Sequence, residues 1–182
     1  MANAPTLHEL ELTLHQIDRG IERELRLRTA RHPSETVERL WLRLLAYAWQ
    51  WEEGIAFGPG LSDPEAPDLE ARDLTGRPTL WLRVGRAEPA KIQRALDRGQ
   101  GARVAVLFDS PARLEAFCAA AVAEGVDRLA GVALAAVDPA LLAGLGAHDE
   151  RRVRLTLTLV GDHFYVDIGG EALDGPLTLG AA

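Results

Sequence analysis

The chain has 182 residues, 47% of them hydrophobic and 26% charged, which suits one globular domain over 1–182 and excludes a disordered chain. Its net charge of −7 argues against tight non-specific binding to nucleic acid, because a basic surface supplies much of that affinity by neutralising phosphates. No apolar run approaches the roughly 20 residues of a membrane span, and Met1 to Pro5 lacks the charged and apolar parts of a signal peptide. A cytoplasmic protein without membrane contact is expected.

Leu10, Leu12 and Leu14 alternate with polar residues, so 6–17 reads as a strand. Ile21, Arg23, Leu25 and Leu27 repeat the period against Glu22, Glu24, Arg26 and Arg28. Asp18-Arg19-Gly20 is a good tight turn between them, which makes a β-hairpin with one face buried. The longest amphipathic helix follows, expected from about Pro33 to Glu53 with Gly54 as its stop. Val37, Leu40, Trp41, Leu44, Leu45 and Ala48 form its apolar face. Pro33 suits the first helical position, where the amide it lacks would be unpaired anyway. Glu35 and Glu38 fall where the helix dipole favours a carboxylate, and Glu35 is spaced to pair with Arg39.

Residues 58–79 have loop chemistry, rich in Gly, Pro, Asp and Glu. Leu69–Leu74 is a short strand with Thr75-Gly76 as its turn. Thr79–Val84 is a strand with Leu80, Leu82 and Val84 on one face and Trp81 and Arg83 on the other. The rhythm then alternates: a helix from Glu88-Pro89 to about Arg98 with Gly99 as its stop, a strand over Val104–Phe108, a helix over Pro111–Glu124, a strand over Val132–Val137, and a short helix from Asp138-Pro139 to about Leu145. That alternation argues for parallel strands joined by crossovers. Antiparallel character returns at the end. Val153, Leu155, Leu157 and Leu159 alternate with polar residues, Gly161-Asp162 is a turn, and His163–Ile168 answers. Leu173–Leu179 adds a further strand broken at Gly175-Pro176. The N- and C-terminal strands are therefore expected to pair into a second sheet beside a mixed core.

Several chemistries lack support. The single cysteine, Cys118, lies in an apolar helical run and reads as a small buried hydrophobe. His8, His15, His148 and His163 lack metal-ligand spacing. Ser34 has no nucleophile-elbow glycines, and Gly54 to Gly60 does not have P-loop spacing. His32 beside Ser34 at the helix start is a candidate binding pair, against the plainer role of packing or capping there.

One set of motifs is specific. Asp18-Arg19, Ala30-Arg31-His32-Pro33-Ser34-Glu35-Thr36 with Glu38-Arg39, and Arg43-Leu44-Leu45-Ala46 occur in that order. They are followed by Pro67-Asp68-Leu69, Asp73-Leu74-Thr75-Gly76 and Leu80-Trp81-Leu82-Arg83-Val84-Gly85. This series resembles the signature of the YaeQ family of small bacterial proteins and runs through most of the chain. That family resembles the PD-(D/E)XK nuclease fold, and its biochemical role is unsettled.

The resemblance implies a site. In a PD-(D/E)XK nuclease, carboxylates hold Mg²⁺ or Mn²⁺ and a nearby basic residue steadies the phosphate. Asp68 matches the strand aspartate, and Glu35 or Glu38 matches the helix acid. The second strand acid falls at Arg83, where the family usually has Glu. The family's basic residue matches Arg94, with Lys91, the only lysine, one turn earlier on the same helix face. Trp81 shares a strand face with Arg83 and is a candidate cleft residue. Exchanging an acid for arginine removes a ligand and adds a repelling charge. At ~4 Å and an effective dielectric near 20 a unit charge is worth about 4 kcal/mol, and the exchange roughly doubles that penalty. The expected site is thus a salt-bridge cluster, with Arg83 pairing Asp68 or a helix glutamate. It belongs to a degenerate, non-catalytic nuclease-like protein whose charged cleft takes a nucleic acid, an anion or a protein partner. The alternative is a metal-dependent nuclease with a rearranged site, in which Asp68 and Glu35 hold the metal. A third option is a scaffold in which Asp18-Arg19 and Arg31 belong to a structural charge network.

Overall fold

The computed structural model describes residues 4–63, 65–98, 101–126 and 128–180. Strands β1 (Thr6–Gln16) and β2 (Ile21–Arg31) form the expected hairpin, paired from Thr6 opposite Arg31 to Gln16 opposite Ile21. A single 3-10 turn over Ile17–Arg19 closes it, with Gly20 left-handed at φ 60°. Helix α1 (Val37–Trp49), strands β3 (Ala56–Phe57), β4 (Leu69–Arg72) and β5 (Pro78–Val84), and helix α2 (Pro89–Arg98) follow. Then come β6 (Arg103–Phe108), α3 (Pro111–Ala123), β7 (Val132–Val137), α4 (Pro139–Gly146), β8 (Arg152–Val160), β9 (His163–Ile168) and β10 (Glu171–Leu179). The expected stop of α2 at Gly99 lies outside the described residues.

The strands form one sheet of ten in the order β2-β1-β8-β9-β10-β7-β6-β5-β4-β3. The terminal strands do pair, β1 running parallel to β8, but they do not make a separate second sheet. β10 joins the two halves. Its Glu171–Pro176 stretch pairs with β9, and Leu177–Leu179 pairs with β7. The expected break at Gly175-Pro176 is instead the hand-over point within one strand. Gly175 also lets α4 pack close, since a Cβ there would lie 2.9 Å from Cβ of Asp138 and of Leu141. β5, β6 and β7 are parallel, with α2 and α3 as the connections between them.

Two apolar clusters hold these layers. The larger gathers α1, α4 and the inner face of both half-sheets, including Leu12, Leu14, Trp41, Leu44, Leu82 and Phe164. The smaller lies under α2 and α3, around Ile92, Val106, Phe108 and Phe117. Each fully buried leucine or phenylalanine contributes about 1.5–3 kcal/mol relative to exposure. Trp41 and Trp51 are core residues, and the Trp41 indole donates to the His148 carbonyl at 2.9 Å.

α1 starts later than its sequence pattern suggests. Thr36 is its N-cap, accepting from the Arg39 amide at 3.2 Å. Pro33 sits in a turn before the helix, where the Glu35 amide donates to the His32 carbonyl at 2.8 Å. Proline is equally well suited to that second turn position, and the threonine cap four residues before Leu40 decides between the two. The far end stops at Trp49 because neighbours take its carbonyls. The Gln16 amide donates to Ala48 and Trp49, and Arg19 donates to Trp51. Among the described residues, no helix is long and apolar enough to cross a membrane.

Candidate functional site: an arginine-carboxylate cluster under a cleft

Glu35 lies one residue before the α1 cap, and only 3% of it is exposed. Its Oε1 accepts from Arg39 at 2.7 Å, one helical turn along, and Oε2 accepts from the His32 amide at 3.2 Å. Arg43, one turn further and 1% exposed, reaches both oxygens at 3.4 Å from below. Asp68 lies just before β4, its amide donating to the Leu82 carbonyl of β5 at 2.9 Å, and is 2% exposed. Its Oδ1 accepts from the other nitrogen of Arg39 at 2.5 Å, and its Oδ2 accepts from the Val84 amide at 2.9 Å. One guanidinium therefore forks between the two acids.

The expected pairing of Glu35 with Arg39 is present. The partner expected for Asp68 is not the principal one. Arg83 Nε stands 3.9 Å from Asp68 Oδ2, while its Nη2 donates to the Ala66 carbonyl at 3.0 Å. Geometry explains the exchange. Arg83 points to the side of β5 that carries Trp81, and its guanidinium lies 5.5 Å from that ring centre. Arg39 comes from the facing helix and meets the carboxylate head-on.

Arg43 is the residue that sequence reasoning missed. Its Nη1 donates to the Ala30 carbonyl and its Nη2 to the Gly58 carbonyl, so it ties β2, α1 and the following loop together. Burial pulls the Arg43 guanidinium below its usual value, opposed by Glu35 and Asp68. The signal was legible. Arg43 is the one charge in Leu40-Trp41-Leu42-Arg43-Leu44-Leu45-Ala46, a run too apolar for a solvated face. Gly58 keeps that loop close, because a Cβ there would sit 2.2 Å from the Pro67 carbonyl oxygen.

The remaining candidates separate. Ser34, Glu38, Arg39, Asp68 and Arg83 line a cleft of about 640 Å³, joined by Arg86 and Arg113. Arg113 pairs with Asp109 at 2.8 Å; Arg86 is exposed and makes no ion pair among the described residues. Glu38 is exposed and lies against Gly146 of α4, away from Glu35. Glu35 does not line this cleft and is buried beneath Arg39. Trp81, Lys91 and Arg94 line a second, smaller groove of about 260 Å³, with Arg83 on the divide between the two. Lys91 pairs with Glu88 at 3.4 Å. His32 and Ser34 bond to each other, the Ser34 amide donating to His32 Nδ1 at 3.2 Å with the hydroxyl at 2.7 Å. They shape the turn before α1.

Asp18, Arg19 and Arg31 are structural. Asp18 accepts from the Gly161 amide at 2.5 Å. Arg31 donates to the Glu35 carbonyl at 3.1 Å and pairs with Asp149 at 3.3 Å. Among the described residues no three His, Cys, Asp or Glu side chains converge so as to hold a metal ion. In the cluster three guanidiniums, from Arg39, Arg43 and Arg83, face the carboxylates of Glu35 and Asp68.

Comparison with known proteins agrees with the resemblance in the motifs. The family profile described as YaeQ protein matches residues 1–175. The uncharacterized protein YaeQ of Escherichia coli K12 is 33% identical over 106 residues, 58% of either chain. That of Salmonella typhi is 34% identical over 95 residues, 52% of either chain. The matched segments thus span little more than half the length of these curated relatives. The crystal structure of YaeQ protein from Xanthomonas axonopodis pv. citri superposes with a TM-score of 0.87 at 29% identity, covering 99% of both chains. That from Pseudomonas syringae gives 0.86 at 29% identity, over 96% of this chain and 95% of the other.

Proposed function

The chain belongs to the YaeQ family, and from that premise we propose that it is a non-catalytic protein of nuclease-like descent whose arginine-lined cleft binds a phosphate-bearing anion. The PD-(D/E)XK resemblance frames the reading, in which Asp68 and Glu35 are matched to that site's cation ligands. One observation supports the loss of the cation. Arg39 forks between Glu35 and Asp68, so a guanidinium already satisfies both acids. Such an ion would meet two carboxylates against three guanidiniums, and the residues present do not fit it. With Glu35 and Asp68 neutralised from within and Asp109 paired with Arg113, the cleft wall presents Arg83 and Arg86 against the exposed Glu38, and guanidinium forks suit phosphate oxygens.

The test is calorimetry with two probes, inorganic phosphate and Mn²⁺. Phosphate is expected to bind, and the double variant Arg83→Gln, Arg86→Gln to lose that binding. Mn²⁺ is expected to give no heat with the natural chain and to bind in the double variant Arg39→Gln, Arg83→Glu, which frees both acids and restores a third. The competing reading, a metal-dependent nuclease, draws on the closeness of Glu35 and Asp68 and requires Arg39 to swing aside. Mn²⁺ binding by the natural chain that Asp68→Ala abolishes, together with DNA or RNA cleavage, establishes that reading instead. A short single-stranded RNA is a third probe. Binding tighter than phosphate alone, lost with Lys91→Gln and Arg94→Gln, extends the ligand into the smaller groove.

A further inference from the structure

β2 is an edge strand of 11 residues whose only strand neighbour among the described residues is β1. An edge of that length offers a row of amides and carbonyls to a passing strand, although the Glu22 carbonyl accepts from Arg23 at 2.7 Å and the Ala30 carbonyl from Arg43 at 3.2 Å. Its outward side chains are sorted by sign: Glu22 and Glu24 come first, Arg26 and Arg28 after, with Leu25 at the centre. We propose that β2 pairs antiparallel with β2 of a second copy of this chain, about a two-fold axis at Leu25. The proposal is independent of what the cleft binds.

The register follows from charge. Centred on Leu25, the pairing sets Glu22 opposite Arg28 and Glu24 opposite Arg26, twice over by symmetry. A shift of two residues puts Glu24 on Glu24 in one direction and Arg26 on Arg26 in the other. A shift of one residue would oppose outward to inward side chains, which the pleat forbids. Either shifted register keeps two opposite-charge pairs beside its like pair, whereas the centred one makes four and no like pair; it is therefore the most complementary, and being isologous it closes at two copies.

The sheet already prepares that charge pattern. Across β8, β1 and β2 the rows run Arg152, Glu9, Arg28 and Arg154, Glu11, Arg26. Arg28 and Arg152 bind Glu9 at 3.0 and 3.1 Å, and Arg154 binds Glu11 at 2.7 Å. Each row ends on an arginine at the open edge. On the acidic half, Glu22 and Glu24 stand beside His15 and Thr13 and make no ion pair among the described residues. A second copy supplies what both halves lack, so the alternation of sign continues across the junction. On the inner face, Ile21, Leu25 and Leu27 are only partly covered by the core. In this register Leu25 meets the partner's Leu25, and Leu27 meets the partner's Arg23, whose guanidinium is held over the Trp51 ring at 5.0 Å.

The test uses two charge-reversed full-length chains. Glu22→Arg with Glu24→Arg makes the edge all positive; Arg26→Glu with Arg28→Glu makes it all negative. In sedimentation equilibrium the natural chain is expected to dimerise. Each double variant alone is expected to dissociate, roughly a hundredfold weaker or more, because like charges across an interface repel strongly. An equimolar mixture of the two is expected to recover a dimer of one copy of each. A monomeric natural chain overturns the proposal. So does a dimer indifferent to either reversal, or a mixture of folded variants that stays monomeric. If a double variant does not fold, Leu25→Cys in a Cys118→Ala background replaces it. The two-fold brings its thiols opposite each other, so oxidation yields a covalent dimer, and the absence of one overturns the proposal.

Discussion

Arginine meets carboxylate in two regions of this molecule, and the two are not equivalent. Beneath the cleft, Glu35, Asp68, Arg39 and Arg43 form a cluster in which three of the four side chains are at most 3% exposed and Arg39 is 21% exposed. On the outer sheet face, Glu9 and Glu11 are flanked by Arg28, Arg152 and Arg154, whose side chains are more than 70% exposed. The distances are similar, so distance does not separate them. Solvation does. A buried partner cannot be replaced by water when its mate is removed, whereas a surface partner can. The buried cluster fixes the relation of α1 to β4, and the ladder sets the character of a surface.

The largest expected effect is therefore at Arg43. Arg43→Ala leaves Glu35 under-compensated and frees the Ala30 and Gly58 carbonyls, with an expected loss of about 3–5 kcal/mol in denaturant unfolding. A milder result of under about 1 kcal/mol would mean that water enters the cluster and the contrast collapses. Next is the double change Glu35→Leu, Arg43→Met. Removing both charges deletes the mismatch that either single change creates, so the double variant is expected to be more stable than Arg43→Ala. Equal or lower stability would show that Arg39 and Asp68 depend on Glu35 for their own placement.

The third test uses pH. His8 is buried on β1, and burial pushes its imidazole below the ordinary 6.5, offset only in part by the Glu150 carbonyl. Arg31, Asp149 and Arg151 are the charges around it. Below 6.5 the unfolded chain takes up a proton that the folded chain refuses, so stability falls as pH drops from 6.5 and levels off below the folded pKa. His8→Gln is expected to flatten that slope relative to the natural chain; an unchanged slope removes His8 as its source. The smallest effect is expected in the ladder. Arg154→Ala leaves an exposed Glu11 that water re-solvates, so the unfolding midpoint is expected to stay within error. Any residual effect should vanish with added salt.

Much of the fold was legible because its strands carry a strict period of two. β1, β2, β8 and β9 lie within a few residues of where alternation places them, and β5 to β7 are parallel as the strand–helix rhythm implies. What escaped depends on long-range contacts. Gly175-Pro176 looks like a break because local propensity cannot know that the strand changes partners there. The helix end at Trp49 is set by Gln16 and Arg19, some thirty residues upstream. In the site, Glu35–Arg39 was legible because i,i+4 spacing is a local rule. Arg39–Asp68 was not, because nothing in either segment states that α1 faces the start of β4. The metal-site frame drew Lys91 and Arg94 toward Asp68, yet they lie across β5, on the side of the sheet covered by α2.

The position of β10 has a consequence for how the chain is made. Each half of the sheet borrows a part of this one strand, which follows the other described elements in chain order. β1 likewise meets β8 only after β3 to β7 have been synthesised. During translation the first hairpin therefore waits with both outer edges open. Such separated pairings close slowly and leave strands vulnerable to mispairing. The charged faces of β1 and β2 then serve the nascent chain as well as the finished one, keeping a waiting hairpin in solution until its partners arrive.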